Sequence, residues 1–130
     1  LDQPLTFRHH ASIETLRTNH SIDMRAEVGL LSRNVVIRGD PETSAINQYG
    51  ATIFLHSKGD DSLIARIDNI ELYDAGQALK LGRYAIYFHM IGAVHNSYVK
   101  GVSIHQSYNK ALALQGTSYL TFKDNVAFEI

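Results

Sequence analysis

The chain has 130 residues, 45% of them hydrophobic, and a net charge of −1 from 12 Lys and Arg against 13 Asp and Glu. That length holds one domain or part of one, and the scattered charge excludes the basic footprint of a nucleic-acid binder. There is no cysteine, which removes disulfides, thiolate catalysis and Cys-ligated zinc, and no apolar run approaches the ~20 residues of a membrane-crossing helix.

Residues 1–24 are polar and irregular. Pro4-Leu5-Thr6-Phe7 and Ile13-Glu14-Thr15-Leu16 read as short edge strands, with a helix capped by Ser12 as the alternative for 12–17. The chain starts at Leu1 without a Met and ends at Ile130 within a strand-like run, so a segment of a longer protein is expected. From Ala26 the pattern tightens. A residue that tolerates positive φ, followed by apolar, any, apolar, recurs four times. It appears as Asn34-Val35-Val36-Ile37, Asn69-Ile70-Glu71-Leu72, Gly101-Val102-Ser103-Ile104 and Asn125-Val126-Ala127-Phe128, at offsets of 35, 32 and 24. Asn and Gly enter the left-handed region at least cost, and the alternation that follows is a half-buried strand.

Between the phrases, Gly39–Ser44 is a turn-rich insertion. Tyr49–His56 alternates Ala51, Ile53 and Leu55 as a strand, and Lys58–Ser62 is a loop. A second echo joins Ala78-Leu79-Lys80-Leu81-Gly82 to Ala111-Leu112-Ala113-Leu114, at an offset of 33. It predicts a second strand in each unit.

A turn feeding a short strand, repeated at tens of residues, is the signature of a solenoid. The expected fold is all-β, a right-handed parallel β-helix over 25–130 with 1–24 as a junction; a β-sandwich is the alternative. Strands of successive rungs stack at ~4.8 Å, so like side chains pile over like. Val35, Ile70, Val102 and Val126 then form one interior ladder, and Ile37, Leu72, Ile104 and Phe128 the next. Asn34, Asn69, Gly101 and Asn125 are the structural turn positions.

The densest stretch of chemistry is Gly82-Arg83-Tyr84-Ala85-Ile86-Tyr87-Phe88-His89-Met90. Alternation places Ile86, Phe88 and Met90 on one face and Tyr87 and His89 on the other, near Arg83. With His105 they are the candidate ligand-binding residues. Arg pairs with a carboxylate through two parallel bonds, and a His serves as acid or base near neutral pH. The bland alternative is a His bonded to a neighbouring rung. None of the 7 His has the i, i+4 spacing of a zinc protease, so no metal and no cofactor is expected. Asp60, Asp61 and Asp68 have the composition of a calcium loop without its pattern. Glu27, Asp68, Glu71 and Asp74 supply carboxylates for glycoside hydrolysis, but nothing in the sequence pairs them.

Arg25-Ala26-Glu27-Val28-Gly29-Leu30-Leu31-Ser32-Arg33-Asn34-Val35-Val36-Ile37 resembles a segment shared by fibrocystin (polyductin), the fibrocystin-like proteins, the cell-surface hyaluronidase and the cell-migration-inducing hyaluronan-binding proteins. The likeness continues, in order, through Gly76-Gln77, Leu81-Gly82-Arg83-Tyr84, Phe88-His89, Ser103-Ile104-His105, Gly116-Thr117 and Lys123-Asp124-Asn125-Val126. The resemblance implies a β-rich G8 domain followed by a parallel β-helix, within a large membrane-anchored extracellular protein. The family's usual Pro-Ile-His-Phe-His stands here as Ala85-Ile86-Tyr87-Phe88-His89. That change removes a base that titrates near pH 7. Met90-Ile91-Gly92-Ala93-Val94 looks more like the fibrocystin-like branch.

The resemblance therefore implies a non-enzymatic structural or adhesion segment of a cell-surface protein, with the cilium as one setting. Its partners are then the flanking rungs of the same chain and surface-coat proteins. The alternative is an anionic-glycan site on the side wall that binds or depolymerises a hyaluronan-like chain, by hydrolysis or elimination.

Overall fold

A computed structural model describes residues 6–130. Pro4 and Leu5 of the first expected strand lie outside the described residues, and Thr6-Phe7 is a bend. The next segment is a strand and not a helix: β1 (Ile13–Thr15) pairs antiparallel with β2 (Ser21–Asp23) in an exposed hairpin. Asn19, at φ 59°, makes its turn.

The remaining strands follow one another round a coil. The first rung holds β3 (Val35–Arg38), a helical turn α1 (Ser44–Asn47), β4 (Ile53–His56) and β5 (Arg66–Asp68). The second holds β6 (Ile70–Tyr73), β7 (Ile86–Ala93) and β8 (Tyr98–Lys100). The third holds β9 (Ser103–His105), β10 (Leu112–Ser118) and β11 (Thr121–Lys123), and β12 (Val126–Phe128) opens a fourth. Every third strand pairs in parallel with its counterpart. This builds a first wall of β3-β6-β9-β12, a second of β4-β7-β10 and a third of β5-β8-β11. The fold is a parallel β-helix with three strands per rung.

Inward side chains stack in columns, because in-register parallel strands repeat each residue's direction one rung above. Ile53, Ile86 and Leu112 share one column, and Leu55, Phe88 and Leu114 the next. On the third wall the column is Ile67, Val99 and Phe122. On the first it is Ile37, Leu72, Ile104 and Ala127. The middle rung is the best covered: Leu72, Ile86, Phe88 and Val99 have no exposed surface. Each such side chain stabilises the fold by roughly 1.5–3 kcal/mol relative to exposure.

Two ladders differ from the sequence expectation at their last member. Val126 aligns with Ser103 and Phe128 with His105, an offset one residue shorter than the phrases suggest. Both side chains therefore leave the interior, and Ala127 takes the place above Ile104. The corner explains the slip. Asn69 (φ 51°) and Gly101 (φ 59°) are left-handed as expected, but the next member of that column is Asp124 (φ 54°) and not Asn125. Asn125 instead turns its amide into the corner, accepting from the Val102 N–H at 2.9 Å and donating to the Val99 carbonyl at 2.9 Å. Asn34 does not adopt a positive φ. A second left-handed column, Asp74, Gln106 and Glu129, follows the first-wall strands.

Three further expectations are corrected. Ala78–Gly82 is a loop with Leu79 and Leu81 exposed, so its echo in β10 is not structural; β10 pairs with Ile86–Ala93. Met90 leaves the core face and is 49% exposed, because its φ of 53° kinks β7. Residues 26–33, read as the start of the rungs, form no strand. They cross the outer face of the first wall as a strap. Gly29 lies over Val126 of β12. The Ser103 hydroxyl of β9 donates to the Leu31 carbonyl. The Arg33 N–H donates to Glu71 Oε2 of β6 at 2.8 Å. The chain then enters β3.

Candidate functional site

The outer face of the second wall gathers most of the candidate side chains. The alternation that buries Ile86 and Phe88 turns Tyr87 and His89 outward. Parallel register repeats this on the neighbouring strands. Phe54, Tyr87 and Ala113 form one outward column, and His56, His89 and Gln115 the other. The rings pack on one another. Phe54 lies 5.4 Å from Tyr87 and 6.0 Å from His89, centroid to centroid, and Tyr87 lies 5.2 Å from His89. Tyr84 meets Tyr87 edge-on at 5.0 Å. This cover leaves Tyr87 only 7% exposed although it points out of the coil. Its hydroxyl donates to Gln115 Oε1 on the next rung.

Arg83 arrives from the loop that precedes β7. That loop is closed by its own backbone, with the Gln77 N–H on the Arg83 carbonyl at 2.9 Å. Asn109 Nδ2 of the next rung donates to the Gln77 and Lys80 carbonyls at 2.8 and 2.9 Å. Such clamps hold a loop in one geometry. Arg83, Tyr87 and His89 thus line one open cleft of about 510 Å³ with Phe54, Leu81, Gly82 and Gln115. Arg83 is exposed and makes no ion pair among the described residues.

His105 is elsewhere. It sits on the outer face of the first wall, with its Nε2 3.0 Å from Glu71 Oε1 and its ring 5.0 Å from Tyr73. Burial pushes the Glu71 carboxyl up, but the Arg33 backbone N–H and the His105 ring together hold it below its ordinary value. His105 is therefore a rung-to-rung partner. The expected carboxylates are dispersed as well. Asp74 accepts from the Tyr108 hydroxyl at 2.9 Å in a corner, Asp68 stands on the third wall, and no carboxylate lines the cleft. Asp60 bonds Ser62 and Asp61 bonds the Ala93 N–H. Among the described residues no cluster of three His, Asp or Glu forms.

Sequence reasoning missed Phe54, His56 and Gln115. The signal was present for the first two, since the Ile53 and Leu55 alternation turns both outward. What it lacked was the register that sets them beside Tyr87 and His89, 33 residues away. The assembled face has parts that can bind a ligand. A guanidinium fits a carboxylate, aromatic faces fit the apolar side of a ring, and an amide and an imidazole offer hydrogen bonds.

Residues 48–130 match the family model described as the CEMIP beta-helix. The chain is 33% identical to fibrocystin-L of Mus musculus, an alignment that covers 100% of this chain and 4% of the relative. It is 34% identical to the cell surface hyaluronidase CEMIP2 of Homo sapiens, covering 83% of this chain and 9% of the relative. A G8 domain-containing protein of Dictyostelium discoideum is 31% identical, over 98% of this chain and 8% of the relative. No solved structure matches the chain. The chain spans less than a tenth of each of these three relatives. A match over most of the chain, on a structure of stacked parallel rungs, makes this chain a member of the CEMIP β-helix family that the fibrocystin-like proteins share.

Proposed function

We propose that the chain is a non-enzymatic scaffold segment of a large extracellular surface protein, a rod that presents its second wall to a ligand. The observation that carries this reading is the makeup of the cleft. Arg83, Tyr87, His89 and Gln115 converge there without a carboxylate. Hydrolysis by the usual glycosidase route requires a pair of acids. The Tyr87 hydroxyl, at the position where the family resemblance expects a His, is bound to Gln115. Names of the relatives point to the cell surface, which supports the extracellular side.

Further rungs of the same longer chain are the proposed neighbours. Val35 at one end of the coil is 57% exposed, and Leu114 and Phe122 at the other are 48% and 53% exposed. Yet their column-mates Phe88 and Val99 are fully buried. Capping rungs would cover them, along with the strand edges that otherwise invite association. Residues 1–24 are proposed as the junction with a preceding β-rich domain, and a cilium is one setting for such a rod.

A second reading has a specific basis. An open cleft lined by aromatic rings and by an arginine that makes no ion pair among the described residues suits an anionic sugar polymer lying along the wall. Binding and depolymerisation assays on anionic glycosaminoglycans separate the two, using a chain that includes neighbouring rungs. The scaffold reading expects no turnover. Turnover that vanishes in Arg83→Ala and His89→Ala would overturn it, and binding without turnover that needs Arg83 would establish the glycan wall.

A further inference from the structure

We propose that His56 and His89 form a binding site for a divalent transition-metal ion of the zinc class, bridging the first and second rungs on the outer face of the second wall. Their α-carbons are paired in register on β4 and β7. Their Nδ1 atoms lie 3.2 Å apart, and the ring centroids 5.1 Å apart. Two imidazoles on one tetrahedral zinc, with Zn–N near 2.0–2.1 Å, have nitrogens about 3.3–3.4 Å and centroids about 5 Å apart. The observed pair already has that spacing.

A third donor joins them. The His89 carbonyl oxygen is 3.0 Å from His56 Nδ1. His56 Nδ1 therefore has two further electron-pair donors within 3.2 Å. A proton on His56 Nδ1 points at the carbonyl and leaves the His89 Nδ1 lone pair only the weaker branch of a shared bond. A cation in place of that proton can draw on all three pairs. Among the described residues no hydrogen bond reaches either Nε2, so nothing else orients the rings through that atom. Packing orients them instead. Phe54 lies parallel to the His56 ring at 6.1 Å, and Tyr87 packs on His89 at 5.2 Å. Ligands held in place by their surroundings lose little freedom on binding.

His56 is exposed and His89 half-buried, so an ion can enter and keep water or an outside ligand at its remaining positions. Imidazole favours zinc, copper and nickel over calcium or magnesium. No spacing along the chain reveals such a site, because its two ligands are one whole rung apart. The bound ion would tie β4 to β7.

The test is a Zn²⁺ titration of the 130-residue chain by calorimetry, with the histidine ring nitrogens followed by NMR. One ion should bind, the Nδ1 signals of His56 and His89 should move together, and the melting temperature should rise. His56→Gln and His89→Gln should each lower affinity by more than about tenfold, since even a lost supporting partner costs 10–100-fold. The double variant should be little worse than either single one, and His95→Gln should bind as the unaltered chain does. Should a variant fail to fold, the ring signals of the unaltered chain decide. Affinity unchanged in either Gln variant, or ring shifts confined to His9, His10 and His20, would overturn the proposal.

Discussion

At Gly101 a single hydrogen decides whether a corner closes. Its φ is 59°, and a Cβ there would stand 2.5 Å from Asn69 Oδ1 of the rung before. Gly101→Ala should therefore cost about 1–3 kcal/mol, read as a lowered urea midpoint. Gly50→Ala should cost more, because its Cβ would fall 1.6 Å from the Asp74 carbonyl oxygen, and backbone cannot step aside. Two titrations belong to the same scale. Burial first, and the Asp74 carboxylate second, push the Tyr108 phenol up to about 12. In an alkaline absorbance titration one tyrosine should ionise near that pH, and Tyr108→Phe should remove it. Glu71 moves the other way, below its ordinary 4.5. Its carboxylate adds stability above the unfolded value, and that stability is lost as pH falls through the folded one. Urea midpoints measured down the acid range should drop less steeply in Glu71→Gln. The left-handed roles of Asn69 and Gly101 were legible from residue type. That of Asp124 was not, because Asp and Asn tolerate the same backbone and stand side by side there.

Among the elements, alternation told the faces correctly wherever the strand was regular. Ile86 and Phe88 inward with Tyr87 and His89 outward is the clearest case. It failed where a left-handed residue kinks the strand, as at Met90. Similar letters also misled when they lacked a shared environment: the leucines of Ala78–Gly82 are exposed and those of β10 are not fully so. The strap over the first wall has a strand-like sequence because Leu31 and Val28 are apolar, but its backbone reaches the wall through the side chains of Glu71 and Ser103. Arg33 also ties it down, with Nε on the Gly101 carbonyl at 2.8 Å and Nη1 on the Leu30 carbonyl at 2.7 Å. Arg33→Ala should loosen the strap while sparing the coil. Amide exchange should quicken over 29–33 and stay unchanged in β7 and β10. Protection lost throughout would mean that the strap is part of the cooperative core.

For the whole molecule, the repeat phrase carried the architecture because each rung must place an apolar residue above the last. Three of its four members align with the offsets that the sequence shows, and the fourth slips by one. The site was only half legible, since Arg83, Tyr87 and His89 are near in sequence while Phe54, His56 and Gln115 come from other rungs. Stability should concentrate in the middle rung. Phe88→Ala should cost about 3–5 kcal/mol, against a smaller loss for Leu114→Ala at the exposed end of the same column.

Methyl–methyl NOEs on the isotope-labelled chain test the stacking most directly. Ile86 should show contacts to both Ile53 and Leu112, and Leu72 to both Ile37 and Ile104, each from one rung below and one above. Ile86 in contact with only one of its two column-mates, or Leu72 facing residues of an antiparallel neighbour, would contradict the coil.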